Sequence, residues 1–225
     1  MTADRRAHSQ QHHTNEPVGL VLHNPWRYDL RLFLHTGGRE SAFRRSIVKL
    51  AGVREGEAVL DVGCGTGSLA IAAAKAVGKS GSVVGIDPSP EFIVRAAKKA
   101  GRAGNVRFVT GAAQDLPFDD GTFDVAMCTL VFHQLSPDGV HAAVNEMVRV
   151  LKPRGRALLV DIGGDQGNRK TIHVSRAAQH GAHLFDLREV APHLGSFGLN
   201  LRSTGEVPFK LFRFERVQYV LAEKA

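Results

Sequence analysis

Short apolar runs alternate with longer amphipathic segments over residues 40–161. In the longer segments apolar residues recur at helical spacing, which predicts helices at 40–51, 68–77, 90–100 and 137–151. The apolar runs predict strands at 58–62, 83–87, 106–110, 123–128 and 156–161. Strands that alternate with helices form parallel βαβ units, and nearly uninterrupted apolar strands are typical of a sheet covered on both faces. The pattern therefore predicts an α/β fold with a doubly wound, mostly parallel sheet.

The residues before this alternation fall into two parts. Residues 1–17 are polar and rich in histidine, so we expect a flexible tail. Residues 18–52 contain the only Trp and one of the two Tyr, and we expect a lead-in segment that is partly helical after Pro25. The composition, 43% hydrophobic over 225 residues, is typical of one domain, which we place at 18–225.

The pattern weakens after residue 161. Residues 162–183 carry Gly and His without clear periodicity and form a predicted insert. Residues 186–197 predict a helix that Pro192 interrupts. Two β-rich segments, 199–207 and 214–221, predict an antiparallel hairpin.

Charge and cysteine content bear on the partners and the cellular location of the protein. The net charge of +7 attracts anionic partners, but the basic residues are scattered, which favours a solvated surface over a nucleic-acid footprint. The two cysteines, Cys64 and Cys128, indicate no disulfide framework. No apolar run approaches the ~20 residues of a membrane span, and the polar first residues lack the apolar core of a signal peptide. We therefore expect a cytoplasmic protein without a transmembrane segment.

Three alternating glycines mark the candidate ligand site. Gly63, Gly65 and Gly67 follow the first predicted strand and precede an Ala-rich helix, so they form a tight turn at a helix N-terminus. The dinucleotide fingerprint places its third glycine farther along, and the lysine of a P-loop is missing. Asp61 beside the turn repels phosphate and attracts an ammonium group. The turn, including Cys64, is therefore compatible with dinucleotide, nucleotide or other adenosyl ligands, and Asp61 favours a ligand that carries an amino group over one that carries a pyrophosphate.

A second carboxylate, Asp87, ends the second predicted strand. In this position it can accept hydrogen bonds from both hydroxyls of a ribose. Asp also caps helices, and a helix is predicted from Pro90. Both roles stay open, and the neighbouring glycine turn favours ribose binding.

Five motifs occur in order along residues 43–161. They are Asp-Val-Gly-Cys-Gly-Thr-Gly at 61–67, Gly-Ile-Asp at 85–87, Asp-Leu-Pro-Phe at 115–118, Thr-Phe-Asp at 122–124 and Arg-Val-Leu-Lys-Pro-x-Gly at 149–155. Together they resemble the class I S-adenosylmethionine-dependent methyltransferases, in the branch of the ubiquinone and menaquinone biosynthesis methyltransferases. The resemblance implies S-adenosyl-L-methionine as the cofactor and a Rossmann-like seven-stranded sheet with an antiparallel last strand.

The resemblance also implies roles for individual residues around the cofactor. From the methionine end to the methyl group, these are Asp61 and the Gly63–Gly67 turn at the methionine, Asp87 at the ribose, Pro88 beside the adenine, and the backbone of Cys128 and Thr129 along the path to the methyl group.

The adenine end departs from the family pattern. Relatives usually read Gly-Asp-Ala before the Leu-Pro-Phe motif, whereas this chain reads Gly111-Ala112-Ala113. The carboxylate that would accept from the adenine amino group is missing at Ala112, although Ala113 can still donate its N–H and Gln114 or Asp115 can replace the acceptor. One such hydrogen bond contributes ~1 kcal/mol net, so we expect weaker cofactor binding rather than none. Because of Ala112, the hypothesis that this chain is a non-catalytic or regulatory member of the family stays open.

His133, just after the fourth predicted strand, is the candidate catalytic base. It can take a proton from the methyl acceptor or orient the acceptor, and the alternative is packing at the pocket edge. Tyr28, the second candidate, and Trp26 are expected to cover the cofactor, as the lead-in does in similar enzymes, or to pack in the core. The family usually builds its acceptor side in the 162–183 insert. The histidines of this insert do not match a fixed metal site, so no metal is expected.

The class of acceptor follows by exclusion. The loop after the fourth strand reads Cys128-Thr-Leu-Val and lacks the Asn/Asp-Pro-Pro-Tyr sequence with which DNA- and protein-amine methylating relatives hold their substrate. A small organic or lipid-like acceptor is therefore the leading hypothesis. The net charge of +7 leaves an RNA methyltransferase as a weaker alternative. Oligomeric state has no signature in the sequence.

Overall fold

The computed structural model describes residues 24–162, 187–209 and 217–225. The helices are α1 (Pro25–His35), α2 (Glu40–Leu50), α3 (Ser68–Val77), α4 (Pro90–Ala100), α5 (Pro137–Val150) and α6 (Leu187–Val190). The strands are β1 (Ala58–Val62), β2 (Ser82–Asp87), β3 (Val106–Thr110), β4 (Phe123–Thr129), β5 (Leu151–Ile162), β6 (Leu199–Glu206) and β7 (Val217–Lys224). Two 3₁₀ turns lie after β4 and α6, at Phe132–Gln134 and Ala191–Phe197.

The seven strands form one sheet in the order β3-β2-β1-β4-β5-β7-β6. β1 to β5 run parallel, and β7 pairs antiparallel with both β5 and β6. The predicted doubly wound α/β fold with an antiparallel last strand is therefore confirmed. The carboxyl ends of β1, β2, β4 and β5 lie at one edge of the sheet, which is where open sheets of this kind bind ligands.

Helices cover this sheet on both faces. On one face α2 and α3 bury Phe43 and Ala73 against Val59 of β1. On the other face α5 buries Met147 against Leu60, the next residue of the same strand. Successive strand residues point to opposite faces, so both must be apolar when both faces are covered. This two-sided burial explains the nearly continuous apolar runs in the sequence.

Three helices begin with the same local structure. The side chains of Asn24, Ser89 and Ser136 each accept a hydrogen bond from the backbone N–H three residues later, and a proline follows each of them. Proline suits the first helical position because the N–H that it lacks has no partner inside the helix. The helix starts predicted at Pro90 and Pro137 are confirmed.

Arg149, from the last of the five motifs, anchors the loop that carries the Leu-Pro-Phe motif. Its guanidinium donates to the carbonyls of Leu116 at 2.8 Å and Phe118 at 2.7 Å, and its Nε donates to Glu146 Oε1 at 2.7 Å. Glu146 Oε2 accepts from the N–H of Leu116 at 2.7 Å. These two motifs therefore fix the path of the chain after β3.

One strand boundary differs from the prediction. β5 begins at Leu151 rather than at residue 156, because Leu151 already pairs with Phe123. The pairing register shifts before Val125, and the next pair is Val125 with Arg156. The Lys-Pro-Arg-Gly segment at 152–155, which lies between the predicted helix and the predicted strand, falls within this irregular part of the strand.

The carboxyl-terminal part follows the prediction in outline. The segment predicted as a helix at 186–197 is α-helical only over Leu187–Val190 and continues as a 3₁₀ turn that contains Pro192. β6 and β7 form the predicted antiparallel pair. The tail at 1–17, the insert at 162–183 after its first residue, and the connection at 210–216 lie outside the described residues.

Candidate active site

The glycine turn between β1 and α3 leaves no room for a side chain at Gly63 or Gly67. Gly63, Gly65 and Gly67 have φ angles of 68°, 54° and 79°, a region that other residues rarely adopt. A Cβ atom at Gly63 would lie 2.3 Å from Val131 Cγ2, and one at Gly67 would lie 2.8 Å from Ala96 Cβ. The turn is therefore packed between the loop after β4 and helix α4.

Asp61 lies beneath this turn and is 1% exposed. Burial raises the pKa of its carboxyl to about 7, although the charge of Arg44 and the N–H of Ala70 act in the opposite direction. The charge of Asp87 raises it further. Within the described part of the chain, Asp61 Oδ2 is buried without a hydrogen-bond partner. A cationic donor placed here would satisfy this oxygen and restore its charge.

Arg44 of α2 brings a buried positive charge to the same place. Its side chain is 8% exposed, and its Nε lies 3.5 Å from Glu40 Oε1. Neither of these two atoms makes a hydrogen bond within the described residues. Arg44 also lies against the phenol of Tyr28, where its charge and hydrogen bond oppose the burial that raises the pKa of that hydroxyl. The sequence does not mark Arg44 as a site residue, because an arginine on an amphipathic helix is usually exposed at the surface.

Asp87, at the end of β2, is joined to the glycine turn. Its Oδ2 accepts the N–H of Gly65 at 2.9 Å, and its Oδ1 accepts the N–H of Ser89 at 3.0 Å. Burial raises the pKa of Asp87, and these two N–H bonds oppose the rise. The residue that caps α4 is Ser89, whose Oγ accepts the N–H of Phe92 at 3.4 Å. The alternative assignment of Asp87 as the helix cap is therefore wrong.

The segment with the departing alanine lies beside Asp87. The N–H of Gly111 donates to the backbone carbonyl of Asp87 at 3.1 Å, which places the end of β3 next to the end of β2. Ala112 is exposed, Ala113 is buried and Gln114 is half-buried. Asp115, three residues after Ala112, is exposed, and so is Pro88, which follows Asp87.

His133 and Asp161 form a hydrogen-bonded pair at the carboxyl ends of β4 and β5. His133 Nδ1 lies 2.7 Å from Asp161 Oδ1, and the N–H of His133 donates to Asp161 Oδ2 at 3.1 Å. Asp161 is fully buried, and it also accepts the N–H of Ile162 at 2.7 Å. Burial lowers the pKa of His133, but the charge of Asp161 and its hydrogen bond outweigh this effect and raise the pKa above its usual value. Asp161 was read in the sequence only as the end of a strand.

The residues at the end of β4 are buried. Cys128 is fully buried, and Thr129 Oγ1 has no hydrogen-bond partner within the described residues. Burial, and then the charges of Asp161 and Asp61, raise the pKa of the Cys128 thiol well above its usual value. Burial likewise raises the pKa of Cys64, with Asp61 adding to it. Both cysteines are therefore neutral thiols at physiological pH rather than nucleophiles.

Helix α1 lies across the glycine turn. Asp29 Oδ1 accepts from Thr66 Oγ1 at 2.6 Å, and Asp29 Oδ2 accepts from Arg95 Nε at 3.0 Å. Tyr28 packs edge-on against Phe92 with ring centroids 5.4 Å apart, and a Cβ at Gly65 would lie 3.7 Å from its hydroxyl. Tyr28 is thus close to the turn, as expected for a covering residue.

Trp26 does not share this position. Its side chain is 70% exposed, with the guanidinium of Arg95 4.3 Å from the centre of a ring. It is therefore not part of the core. Asp29, which fastens the helix to the turn, had no signature in the sequence.

The donors and acceptors around the turn fit a ligand with an amino acid end and a ribose. Asp61 Oδ2 is an acceptor for an ammonium group, and Arg44 Nε is a donor for a carboxylate. Asp87 retains lone pairs for two hydroxyls, since each oxygen accepts one bond from the protein. Among the described residues no group of three His, Cys, Asp or Glu side chains forms a metal site. No described helix is long and apolar enough to cross a membrane.

The strand order and the glycine turn after β1 are those of a Rossmann-like α/β fold. Residues 59–155 match the family model described as a methyltransferase domain, so this stretch is a methyltransferase domain. The resemblance seen in the five motifs is confirmed.

Two curated relatives belong to quinone biosynthesis. The ubiquinone/menaquinone biosynthesis C-methyltransferase UbiE of Azotobacter vinelandii is 38% identical over 148 residues, which cover 64% of this chain and 58% of that protein. A demethylmenaquinone methyltransferase of Staphylococcus aureus is 36% identical over 160 residues, which cover 71% of this chain and 63% of that protein. The chain thus spans less than two thirds of the length of these relatives.

Solved structures share the fold at lower identity. A SAM-dependent methyltransferase from Aquifex aeolicus superimposes with a TM-score of 0.69 at 24% identity, over 90% of this chain and 99% of that one. A geranyl diphosphate methyltransferase in complex with SAM gives a TM-score of 0.71 at 18% identity, over 88% and 90% of the two chains. These likenesses confirm the Rossmann-like fold.

Proposed function

We propose that this chain transfers a methyl group from S-adenosyl-L-methionine to a small, lipid-like acceptor of the quinol type. The names of the two curated relatives support this class of acceptor. The observation that carries the proposal is the His133–Asp161 pair, 2.7 Å apart, at the edge of the sheet that also holds the glycine turn. This edge is where the ligand and the acceptor meet in open α/β sheets.

The paired carboxylate gives His133 the arrangement of a general base. Asp161 binds Nδ1, which fixes the proton on that nitrogen and leaves Nε2 as the proton acceptor. The side chain of His133 is 27% exposed while Asp161 is fully buried, so His133 is the member of the pair that a ligand can reach. Residues that orient a base in this way raise its basicity and hold its ring in one position.

The cofactor supplies a methyl group already activated on a sulfonium, so the protein's main task is alignment. His133 Nε2 takes the proton that the acceptor loses as its oxygen or carbon bonds to the methyl carbon. S-adenosyl-L-methionine, held by the residues of the turn, would supply the methyl carbon and would keep its sulfur as a neutral thioether. Atoms and charge therefore balance with one proton on His133, which passes to water afterwards.

The amino acid end of the cofactor is assigned to two buried charges. Asp61 receives the ammonium group because its Oδ2 is buried without a hydrogen-bond partner in the described residues, and Arg44 receives the carboxylate because it is the buried cation near Asp61. Asp87 receives the ribose hydroxyls. Pro88, Ala113 and Gln114 are assigned to the adenine, with no side-chain acceptor at Ala112.

Ala112 is also the observation that favours a second candidate, a methyltransferase-fold protein without catalysis. Calorimetric titration of the full chain with S-adenosylmethionine and S-adenosylhomocysteine separates the two. Binding at micromolar to submillimolar concentration is expected, and no binding at millimolar ligand would remove the enzyme proposal. Ala112→Asp should tighten binding by about fivefold, the equivalent of one hydrogen bond.

Methyl transfer is then tested with acceptors of different classes. Tritiated methyl from the cofactor should enter a short-chain demethylmenaquinol and should not enter RNA or a polar catechol at the same concentration. His133→Asn is the matched variant, because its amide N–H can still donate to Asp161 while Nε2 is lost. Transfer at an unchanged rate in this variant would remove the role of the base, and labelling of RNA would change the class of acceptor.

A further inference from the structure

Helix α1 turns a row of large apolar side chains away from the protein. Trp26 is 70% exposed, Leu30 60%, Phe33 56% and Leu34 62%. Their spacing places all four on one side of the helix, in an arc of about 100°. The opposite side of α1 is used by the fold, because Leu32 is buried there. No other described segment carries so many exposed large apolar residues next to one another.

Positive charge borders this apolar row. Arg27 and Arg31 are exposed on the border next to Leu34, about 20° and 60° farther around the helix. On the other border, the guanidinium of Arg95 of α4 lies over the ring of Trp26. The only acidic residue of α1, Asp29, is held inward by Thr66, Arg95 and Lys99. The outward surface of α1 is therefore apolar in the middle and cationic at its borders.

We propose that α1 docks the protein on an anionic lipid bilayer, lying in the plane of the surface. Helices with an apolar face, a tryptophan and arginines at the polar border bind at the boundary between headgroups and acyl chains. The excess of seven positive charges on the chain adds a long-range attraction to anionic lipid. A second copy of the chain would bring arginines of like charge together along the same face, so charge complementarity favours the bilayer.

This docking would give the site a direct path for a lipid-like acceptor. α1 is the element that covers the glycine turn, through Tyr28 and Asp29 on its inner side. A membrane against its outer side would place the edge of the sheet next to the lipid. Docking itself does not depend on methyl transfer, and only this consequence rests on the proposed function.

Trp26 is the only tryptophan, so its fluorescence reports on this surface alone. The full chain is titrated with vesicles of equal phosphatidylglycerol and phosphatidylcholine, and separately with phosphatidylcholine only, without cofactor or acceptor. We expect a blue shift, protection from acrylamide and quenching by brominated acyl chains with the anionic vesicles. Binding should weaken at least tenfold with phosphatidylcholine alone or in high salt.

Substitutions on α1 test whether its exposed apolar face is responsible for vesicle binding. The double change Leu30→Gln and Phe33→Gln should weaken vesicle binding more than tenfold, and Arg27→Gln should weaken it about fivefold. The matched control is Leu201→Gln, which alters a 47% exposed leucine on β6, the edge strand at the far end of the sheet from α4. It should bind as the unchanged chain does.

Three results would overturn the proposal. The first is an emission spectrum that anionic vesicles leave unchanged. The second is a Trp26 signal that is already blue-shifted and protected without vesicles, which would mean that another part of the chain or a second copy covers α1. The third is equal vesicle binding by the double variant and the Leu201→Gln control. Because these measurements need no turnover, they stand apart from a failure of the methyl-transfer assay.

Discussion

Lys99 of α4 and Asp29 of α1 form an ion pair in which Nζ lies 3.1 Å from Oδ1. The same ammonium group donates to Thr66 Oγ1 and to Ser68 Oγ, each at 2.9 Å. One cation thus joins the covering helix, the glycine turn and the first residue of α3. These polar contacts and the buried Leu32 both hold α1 against the rest of the fold.

Replacing Asp29 by Asn should loosen α1 while the sheet stays folded. The substitution removes the charge that holds Lys99 and Arg95, and partly exposed pairs of this kind contribute about 1 kcal/mol. We expect amide hydrogen exchange in α1 to become about fivefold faster, with no change in β1 and β4. The control is Glu223→Gln, which breaks an ion pair with Arg202 of 2.6 Å between β7 and β6. Faster exchange of α1 in this control as well would contradict the assignment.

The pH dependence of methyl transfer should report His133. The protonated imidazole cannot act as a base, so the rate should rise with pH through the pKa of His133, which Asp161 raises above its usual 6.5. In Asp161→Asn the raising charge is lost while the burial that lowers the pKa remains. The rising limb should therefore move below pH 6.5, and the maximal rate should fall about 10²-fold.

The measurement is single-turnover methyl transfer from pH 5 to pH 9 with saturating cofactor. His133→Asn should lose the rising limb altogether. A limb that stays in place in both variants would assign the titration to another group or to the acceptor.

Cofactor affinity should itself depend on pH through Asp61. This carboxyl has a pKa of about 7 in the free protein and faces Arg44 of α2 and Asp87 of β2. An ammonium group favours its charged form, so binding must remove the proton below pH 7. The dissociation constant should therefore be about tenfold larger at pH 5.5 than at pH 7. Asp61→Asn should bind weakly with little change over this range, as calorimetry can measure.

Stability provides an independent check on the same group. The pKa of Asp61 is raised above its unfolded value of 3.8, so the stability contributed by its protonated form is complete below that value and is lost as the pH rises through 7. Asn cannot ionise and still accepts the N–H of Ala70. The variant should thus gain about 1–3 kcal/mol in urea unfolding, relative to the unchanged chain, on going from pH 5 to pH 8. An equal difference at both pH values would show that Asp61 ionises normally.

Gly67→Ala should destabilise the protein much more than Gly101→Ala. Both glycines have positive φ, of 79° and 62°, so both variants carry a backbone penalty of about 1 kcal/mol. A Cβ at Gly67 would also lie 2.8 Å from Ala96 Cβ, whereas none lies within 4 Å at Gly101. We expect a further loss of about 2–3 kcal/mol at Gly67 in urea unfolding. Similar losses in the two variants would mean that the turn can move away from α4.

Most of the fold could be predicted because it depends on local patterns. The strands at 58–62 and 106–110 have the predicted bounds, since both combine an apolar run with a clear break on each side. β5 was placed five residues too late because a strand that passes through Lys-Pro-Arg-Gly has no apolar run there. Its pairing with Phe123 depends on the neighbouring strand, which the local pattern does not contain.

The candidate site could be predicted only where its residues belong to a local sequence motif. The glycine turn and Asp87 have fixed spacing, and His133 follows a strand end. Asp161 is 28 residues from His133, and Asp29 is 37 residues from Thr66, so neither pairing shows in a local window. In the sequence Arg44 and Glu40 look like ordinary residues of an amphipathic helix. Only the structure shows that their side chains are largely buried.

Asp87 connects the glycine turn to the start of α4 through hydrogen bonds to both. Its carboxylate holds the N–H of Gly65 in the turn and the N–H of Ser89 at the start of α4. We propose that Asp87 receives the ribose, so a substitution that changes its contact with the sugar must also change the glycine turn. At the proposed adenine end, the exposed Ala112 is a position where a side chain can change without removing either of these two hydrogen bonds.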